Sequence, residues 1–288
     1  MTSANERRPI VLGVETPDPS AMAVAWAADE AERRHVPLRL VHAVPSVLHE
    51  HRPFEQGRYQ QALRERGAEA LEKAEVTART RHPGLETSTA LGEGTASHLL
   101  CRESAHAELV VLGSRRLSRV EEVLSVGSVT VPVSAQAHCP VVVVGAPEHI
   151  TQDPPYLVVG VDGSPWSAAA VEHAYRAAAL RNAELRAIWV WQPPFLALAA
   201  EEFSLREGRR LLHESTAGFS VTYPDVRATH EVLVGHPVEE LAKASEHALA
   251  VVVGRRGQGG FTGLRLGPVP HGLLHRAACP VVTVPSRR

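Results

Sequence analysis

The chain has no surplus of positive charge: 30 Lys and Arg stand against 32 Asp and Glu, a formal net charge of −2. Binding along a nucleic-acid backbone needs basic residues in excess to displace counterions from phosphates, so nucleic acid is not an expected partner. A long apolar run is missing too. No hydrophobic stretch approaches the ~20 residues that cross a bilayer, and the segment 1–9 has no apolar core behind its charges. The expectation is a soluble, unsecreted protein with no membrane partner. Cysteine is scarce: Cys101, Cys139 and Cys279 form no C-x-x-C pair and, odd in number and far apart, make a poor disulfide framework. Reduced thiols favour a cytoplasmic location. The 16 histidines raise the question of metal, and His271 and His275 are spaced to share one helical face. A helical zinc-protease site would need Glu after the first His, where Gly272 stands. No metal site is expected.

What the chain does have is an internal repeat. Val11-Leu12-Gly13-Val14-Glu15 recurs as Val158-Val159-Gly160-Val161-Asp162, an offset of 162 − 15 = 147. The same offset carries Leu38-Arg39-Leu40-Val41-His42 onto Leu185-Arg186-Ala187-Ile188-Trp189. Further on, the run ending at Gly113 matches the run ending at Gly254, and Cys139-Pro140-Val141-Val142 matches Cys279-Pro280-Val281-Val282, at offsets of 141 and 140. Four correspondences in one order divide the chain into a first domain at 1–146, a polar, proline-rich linker at 147–154 and a second domain at 155–288.

Within each copy, short β-branched runs alternate with segments of helical period, the pattern of βαβ units around a parallel sheet. Ala168, Val171, Tyr175 and Ala178 form the stripe of one amphipathic helix. Ser164 is placed to cap it, with Pro165 in its first turn; Asp18-Pro19 is the similar pair in the first copy. The runs 141–144 and 251–253 are apolar on both faces, as a sheet covered by helices on both sides requires. The expected fold class is α/β, with five parallel strands in each domain.

Ligands of open parallel sheets bind beyond the carboxyl ends of the strands. In the second copy Asp162 ends the opening strand, placed to accept hydrogen bonds from a ribose or base. A glycine-rich loop with Gly254, Gly257, Gly259, Gly260, Gly263 and Gly267 runs from a later strand into a helix, and Arg255 and Arg256 lie in it. Glycines let backbone amides approach phosphate, a helix N-terminus favours the charge, and arginines add charge-assisted contacts. The bland alternative is that these glycines only let a long loop turn. No GxxxxGK[ST] follows any strand, and no GxGxxG follows the first strand, so neither a Walker site nor a dinucleotide fold is expected.

Val-Asp-Gly-Ser-Pro after the opening strand, Val234-Gly235-His236-Pro237 before a helix, Gly254-x-x-Gly257 followed nine residues later by Gly267, and the closing Cys-Pro-Val-Val together resemble the universal stress protein family across nearly the whole chain. The resemblance implies tandem Rossmann-like, adenine-nucleotide α-hydrolase-like domains paired through their last strands, assembly into a homo-oligomer, and a site for ATP or another adenine nucleotide, with Mg accompanying ATP. Carried onto the second copy, it sets Asp162 and Val190 against ribose and adenine, and Gly254, Gly257 and Gly267 against the phosphates.

Each copy departs from that pattern in its own way. After Gly267 the family has Ser or Thr; here Pro268 follows, and Pro270 stands two residues on, so two N–H donors are missing where phosphate needs them. The first copy keeps Gly113 and, at the helix start, Gly127-Ser128-Val129, but Arg116 replaces the second glycine, bulky residues from Leu117 to Glu122 replace the flexible stretch, and Glu15 stands for Asp. Glu121 and Glu122 would repel phosphate unless they point away. Two readings follow: a non-catalytic stress-response module that binds adenine nucleotide in its second domain, or a dimerising interaction scaffold that has lost the nucleotide in both. An ATPase or phosphotransferase has less support, because no recognisable motif places a carboxylate, His or Lys to activate water or an acceptor.

Overall fold

The computed structural model describes residues 7–46, 53–114, 129–145, 149–193, 201–258 and 266–286. The chain divides into two compact units, Met1–Gly145 and Ala146–Arg288. In the first, β1 (Ile10–Gly13), α1 (Ala21–Arg34), β2 (Leu38–Val44), α2 (Pro53–Arg81), β3 (Thr87–Glu93), α3 (Ala96–Glu103), β4 (Leu109–Gly113), α4 (Thr130–Gln136) and β5 (Val141–Val144) follow in order. Its strands run β3-β2-β1-β4-β5, every neighbour parallel.

The second unit repeats the plan with β6 (Tyr156–Gly160), α5 (Pro165–Ala179), β7 (Glu184–Trp191), α6 (Glu201–Thr216), the short α7 (Phe219–Thr222), β8 (Ala228–Val234), α8 (Pro237–Ala244), β9 (Ala250–Gly254), α9 (Pro268–Arg276) and β10 (Val281–Val284). Its strands run β8-β7-β6-β9-β10, again parallel. Each unit is therefore an α/β domain with five parallel strands and helices on both faces. The valine runs explain the layering: β4, β5, β9 and β10 are buried at every residue, which a parallel sheet achieves only when both faces are covered. The outer strands β3 and β8 keep exposed positions, Leu91 and Val234 among them.

This order matters for function. From β6 the chain adds β7 and β8 on one side, then crosses to add β9 and β10 on the other, so a crevice opens above the carboxyl ends of β6 and β9. Its floor is firm. Val158, Val251 and Val253 of the sheet pack with Val238 and Leu241 of α8 and Leu273 of α9, and each such side chain contributes ~1.5–3 kcal/mol when removed from water.

Serine caps open α1 and α5, with two corrections to what the sequence predicts. Ser164 accepts the Ser167 amide at 3.2 Å and Pro165 opens α5, as its sequence predicts. In the first domain the cap is Ser20, accepting the Ala23 amide at 3.3 Å, and not Asp18-Pro19. The offset between copies is 147 at the strand end but 165 − 21 = 144 at the helix start, so the first turn is three residues longer. Gly163, at φ 78°, makes the tight second-domain turn; Thr16 stands in its place in the first copy, and a β-branched residue resists that conformation. The second correction concerns the α5 stripe. Val171, Tyr175 and Ala178 are buried, but Ala168 is exposed and Ser167 takes the inward position.

Part of the linker is held by the second unit. Gln152 donates its amide to the His247 carbonyl at 3.0 Å, and the His149 ring nitrogen Nε2 lies 2.7 Å from the Ala248 carbonyl.

Candidate functional site

Strand β6 ends and Val161 still donates to the Ile188 carbonyl at 2.9 Å, which carries Asp162 to the mouth of the crevice. There its carboxylate is held on both sides: Oδ1 accepts the Ser164 amide at 2.9 Å and Oδ2 accepts the Gln258 amide at 3.0 Å. The first bond forms the turn into α5. The second ties the end of β6 to the glycine loop that leaves β9. Gly257 is required for this approach, because a Cβ there would run into Asp162 Oδ2. Gly254 is required one turn earlier, since its Cβ would lie 2.7 Å from the Trp166 carbonyl carbon.

The far end of the loop is closed by backbone. Arg255 donates its amide to the Val284 carbonyl at 2.8 Å, and Gly267 donates its own to the Arg255 carbonyl at 2.9 Å. Gly267 then caps α9 with no side-chain hydrogen bond, and Pro268 and Pro270 follow in the first turn. Of the amides at 267–270, one is committed to Arg255 and two do not exist. The Arg256 guanidinium sits 5.9 Å from the Trp166 ring centroid, and its Nε is buried without a hydrogen-bond partner.

These segments enclose a cavity of about 360 Å³, within the ~300–1,000 Å³ range of small-molecule sites. Of the residues singled out from the second copy, Asp162, Val190, Gly254, Arg256, Gly257 and Gly267 line it, while Arg255 does not. Sequence reasoning passed over Gln192 just beyond β7, Leu241 of α8, and Ser167 and Gln258, all of which also line it. Pro237 lines it as well, in the Val-Gly-x-Pro segment that the resemblance had marked without a role. Gln258 left no trace in the sequence because it takes part through its backbone amide. The others had at most a position just after a strand or at a helix start.

In the first domain, Glu15 is half-buried at the place of Asp162, and Gly113 closes β4 with Ser20 Cβ 2.8 Å from where a Cβ would sit. Val129 precedes α4 with helical backbone and no capping side chain. Arg116, Leu117 to Glu122, Gly127 and Ser128 lie outside the described residues, as do Gly259, Gly260 and Gly263 of the second loop. His42, at the place of Trp189, lies with Nδ1 2.8 Å from the Val14 carbonyl. The two rings play one packing role: His42 meets Gly67 of α2 and Trp189 meets Gly208 of α6, where a side chain would overlap them.

The rings of His271 and His275 lie 4.8 Å apart on α9, and among the described residues no group of three His, Cys, Asp or Glu is arranged to hold a metal ion. No helix among them is long and apolar enough to cross a membrane.

Comparison with known proteins agrees with the architecture. The model of the universal stress protein family matches residues 6–145 and again 156–285. A universal stress protein of Mycolicibacterium smegmatis is 32% identical, covering 96% of this chain and 97% of that protein. A second, from Mycobacterium tuberculosis, is 32% identical over 98% of both. The crystal structure of a universal stress protein from Archaeoglobus fulgidus shares the fold at a TM-score of 0.72 and 18% identity, covering 96% of each chain. Two family domains in tandem, matched over nearly their whole length, make this chain a member of the universal stress protein family.

Proposed function

We propose that the second domain binds an adenine nucleotide, ATP among the candidates, and that the chain works in the cytoplasm as a non-catalytic stress-response module. The observation that carries this reading is convergence: β6, β7, the loop after β9 and the start of α9 bring Asp162, Val190, Gly257 and Gly267 around one cavity. Val190 and Leu241 give the lining apolar surface suited to a base, and Gln192 and Asp162 give it polar groups. The buried, unpartnered Nε of Arg256 is a donor awaiting an acceptor, which a ligand would supply. The first domain, with Glu15 in place of Asp162, serves mainly as structure in this proposal.

The non-catalytic part rests on Asp162. Among the described lining residues it is the one carboxylate, with no Glu, His or Lys beside it, and each of its oxygens accepts a backbone amide that holds the turn or the loop. A second reading, a nucleotide-free scaffold that pairs its domains and assembles with further copies, draws on Pro268 and Pro270. The domain limits 1–146 and 155–288 belong to the same proposal. Limited proteolysis within 147–154 should then leave two folded fragments.

Protein purified without added ligand and then denatured should release adenine nucleotide, and calorimetric titration of ATP should show a site that Asp162→Ala weakens. Absence of any released nucleotide together with a flat titration would favour the scaffold.

A further inference from the structure

At the edge of the second domain, helix α6 and strand β8 bring two histidines together. His213 stands in the last turn of α6 and His230 in the middle of β8, and their ring centres are 4.7 Å apart. A separation of 230 − 213 = 17 residues is not a metal-ligand spacing, so the pair exists only in the fold. Both residues reach solvent. Two imidazoles that share one ion, each nitrogen about 2.0–2.1 Å from it, have ring centres about 4.5–5.2 Å apart. The observed separation falls in that range.

One hydrogen bond decides which nitrogen of His230 can bind. Thr216 Oγ1, buried at the end of α6, lies 2.8 Å from the Leu212 carbonyl and 2.7 Å from His230 Nε2. A carbonyl only accepts, so the hydroxyl gives its one proton to Leu212 and accepts from His230. Nε2 therefore carries the ring proton and Nδ1 keeps the lone pair, the form in which imidazole ligates a metal. The same bond holds the ring against α6, the support that metal-ligating histidines draw from their second nitrogen. The carboxylates next in sequence are held by arginines: Glu231 by Arg186 at 2.6 and 2.8 Å, Glu214 by Arg210 at 3.3 Å. Among the described residues no third His, Cys, Asp or Glu joins the pair, so water would complete the coordination. Imidazole suits late first-row divalent ions, whereas Mg and Ca take oxygen.

The first copy differs at both places. Gly208 and Gly67 are counterparts at an offset of 208 − 67 = 141, which sets Glu72 at the place of His213. Strand register sets Thr89 at the place of His230, since Ala187 pairs with His230 as Leu40 pairs with Thr89. We propose that His213 and His230 form a site for one late first-row divalent ion, of the class of Ni²⁺ and Zn²⁺, which ties α6 to the edge strand β8. Neither residue is among those lining the cavity, so the site stands apart from the nucleotide reading.

The test is calorimetric titration of Ni²⁺ into the full chain at about pH 7.5, where imidazole is neutral, in a buffer that does not bind metal. The parent should show a site that His213→Gln and His230→Gln each weaken about tenfold or more. His271→Gln/His275→Gln, which removes the pair on α9 with ring centres 4.8 Å apart, should leave that site unchanged. Saturating Ni²⁺ should also raise the urea midpoint of the parent's second domain, because the ion binds where α6 and β8 are together, and His213→Gln should abolish the rise. Mg²⁺ should do neither. Ni²⁺ binding that is absent from the parent, unaffected by His213→Gln, lost with the α9 pair instead, or matched by Mg²⁺ overturns the proposal. His213→Gln leaves the Thr216 bond to His230 in place, so the test stands even if His230→Gln does not fold.

Discussion

Asp162 Oδ2 accepts the backbone amide of Gln258 at 3.0 Å, joining two strand ends that are 96 residues apart in sequence. With Oδ1 on the Ser164 amide, one side chain fixes both the turn into α5 and the mouth of the glycine loop. Hydrogen bonds to a charged acceptor are worth ~1.5–3 kcal/mol each. Asp162→Ala is therefore expected to lower the stability of the second domain by about 1–3 kcal/mol and to weaken ligand binding, with the domain still folded. Urea unfolding followed at the second-domain tryptophans measures it; an unchanged midpoint would mean that the carboxylate does not hold the loop.

The sequence made the repeat, the valine strands and the Ser164 cap legible because each is written in side chains at fixed spacing. The longer first-domain turn was not, because it depends on Thr16 being unable to follow Gly163, a backbone fact that no pattern of polarity records. Ala168 and Ser167 differ too little in size and polarity for the stripe to fix which one faces inward. The candidate site was half legible: the glycines and Asp162 stand out, but the Gln258 amide, the Gly267 bond to Arg255 and the place of Gln192 appear only once the chain is folded.

Close packing at the strand ends predicts unequal costs for one substitution in the two copies. A Cβ at Gly254 meets three Trp166 atoms within 2.8 Å, two of them backbone; at Gly113 it meets one atom that close, Ser20 Cβ at 2.8 Å, with Ser20 Oγ next at 3.3 Å. Gly254→Ala should cost about 1–3 kcal/mol, as overpacking does, and more than Gly113→Ala. Equal denaturant midpoints for the two variants would contradict this.

The thiols give a prediction of reactivity. Burial pushes Cys139 up to about 12 and Cys279 up to about 11, so both stay protonated at neutral pH, and the thiolate is the reacting form. Cys101 is partly exposed. A thiol reagent at pH 8, with labelled peptides mapped by mass spectrometry, should modify Cys101 first and the other two only as the domains unfold. Rapid native labelling of Cys279 would show the β10 entry to be open.

His230 lies with Nε2 2.7 Å from Thr216 Oγ1, its ring 4.7 Å from that of His213. Burial first, and the neighbouring His213 second, hold its pKa below the usual 6.5. The folded domain therefore resists a proton that the unfolded chain accepts, and the stability this gives is present above about pH 6.5 and is lost as pH falls through the folded value. Second-domain unfolding measured from pH 7.5 to 5 should show that loss, and His230→Gln should flatten it. An identical slope in the variant would assign the pH dependence elsewhere.

The placement of the ligand in the second domain is tested most directly by substituting the equivalent position of each copy in turn. Val190 lines the second-domain cavity, and Ala43 is its counterpart at the offset of 147 residues. ATP titrated into the full chain should bind the parent and Ala43→Phe alike, and bind Val190→Phe at least tenfold more weakly. Binding that survives Val190→Phe unchanged, or is lost in Ala43→Phe, would contradict the account.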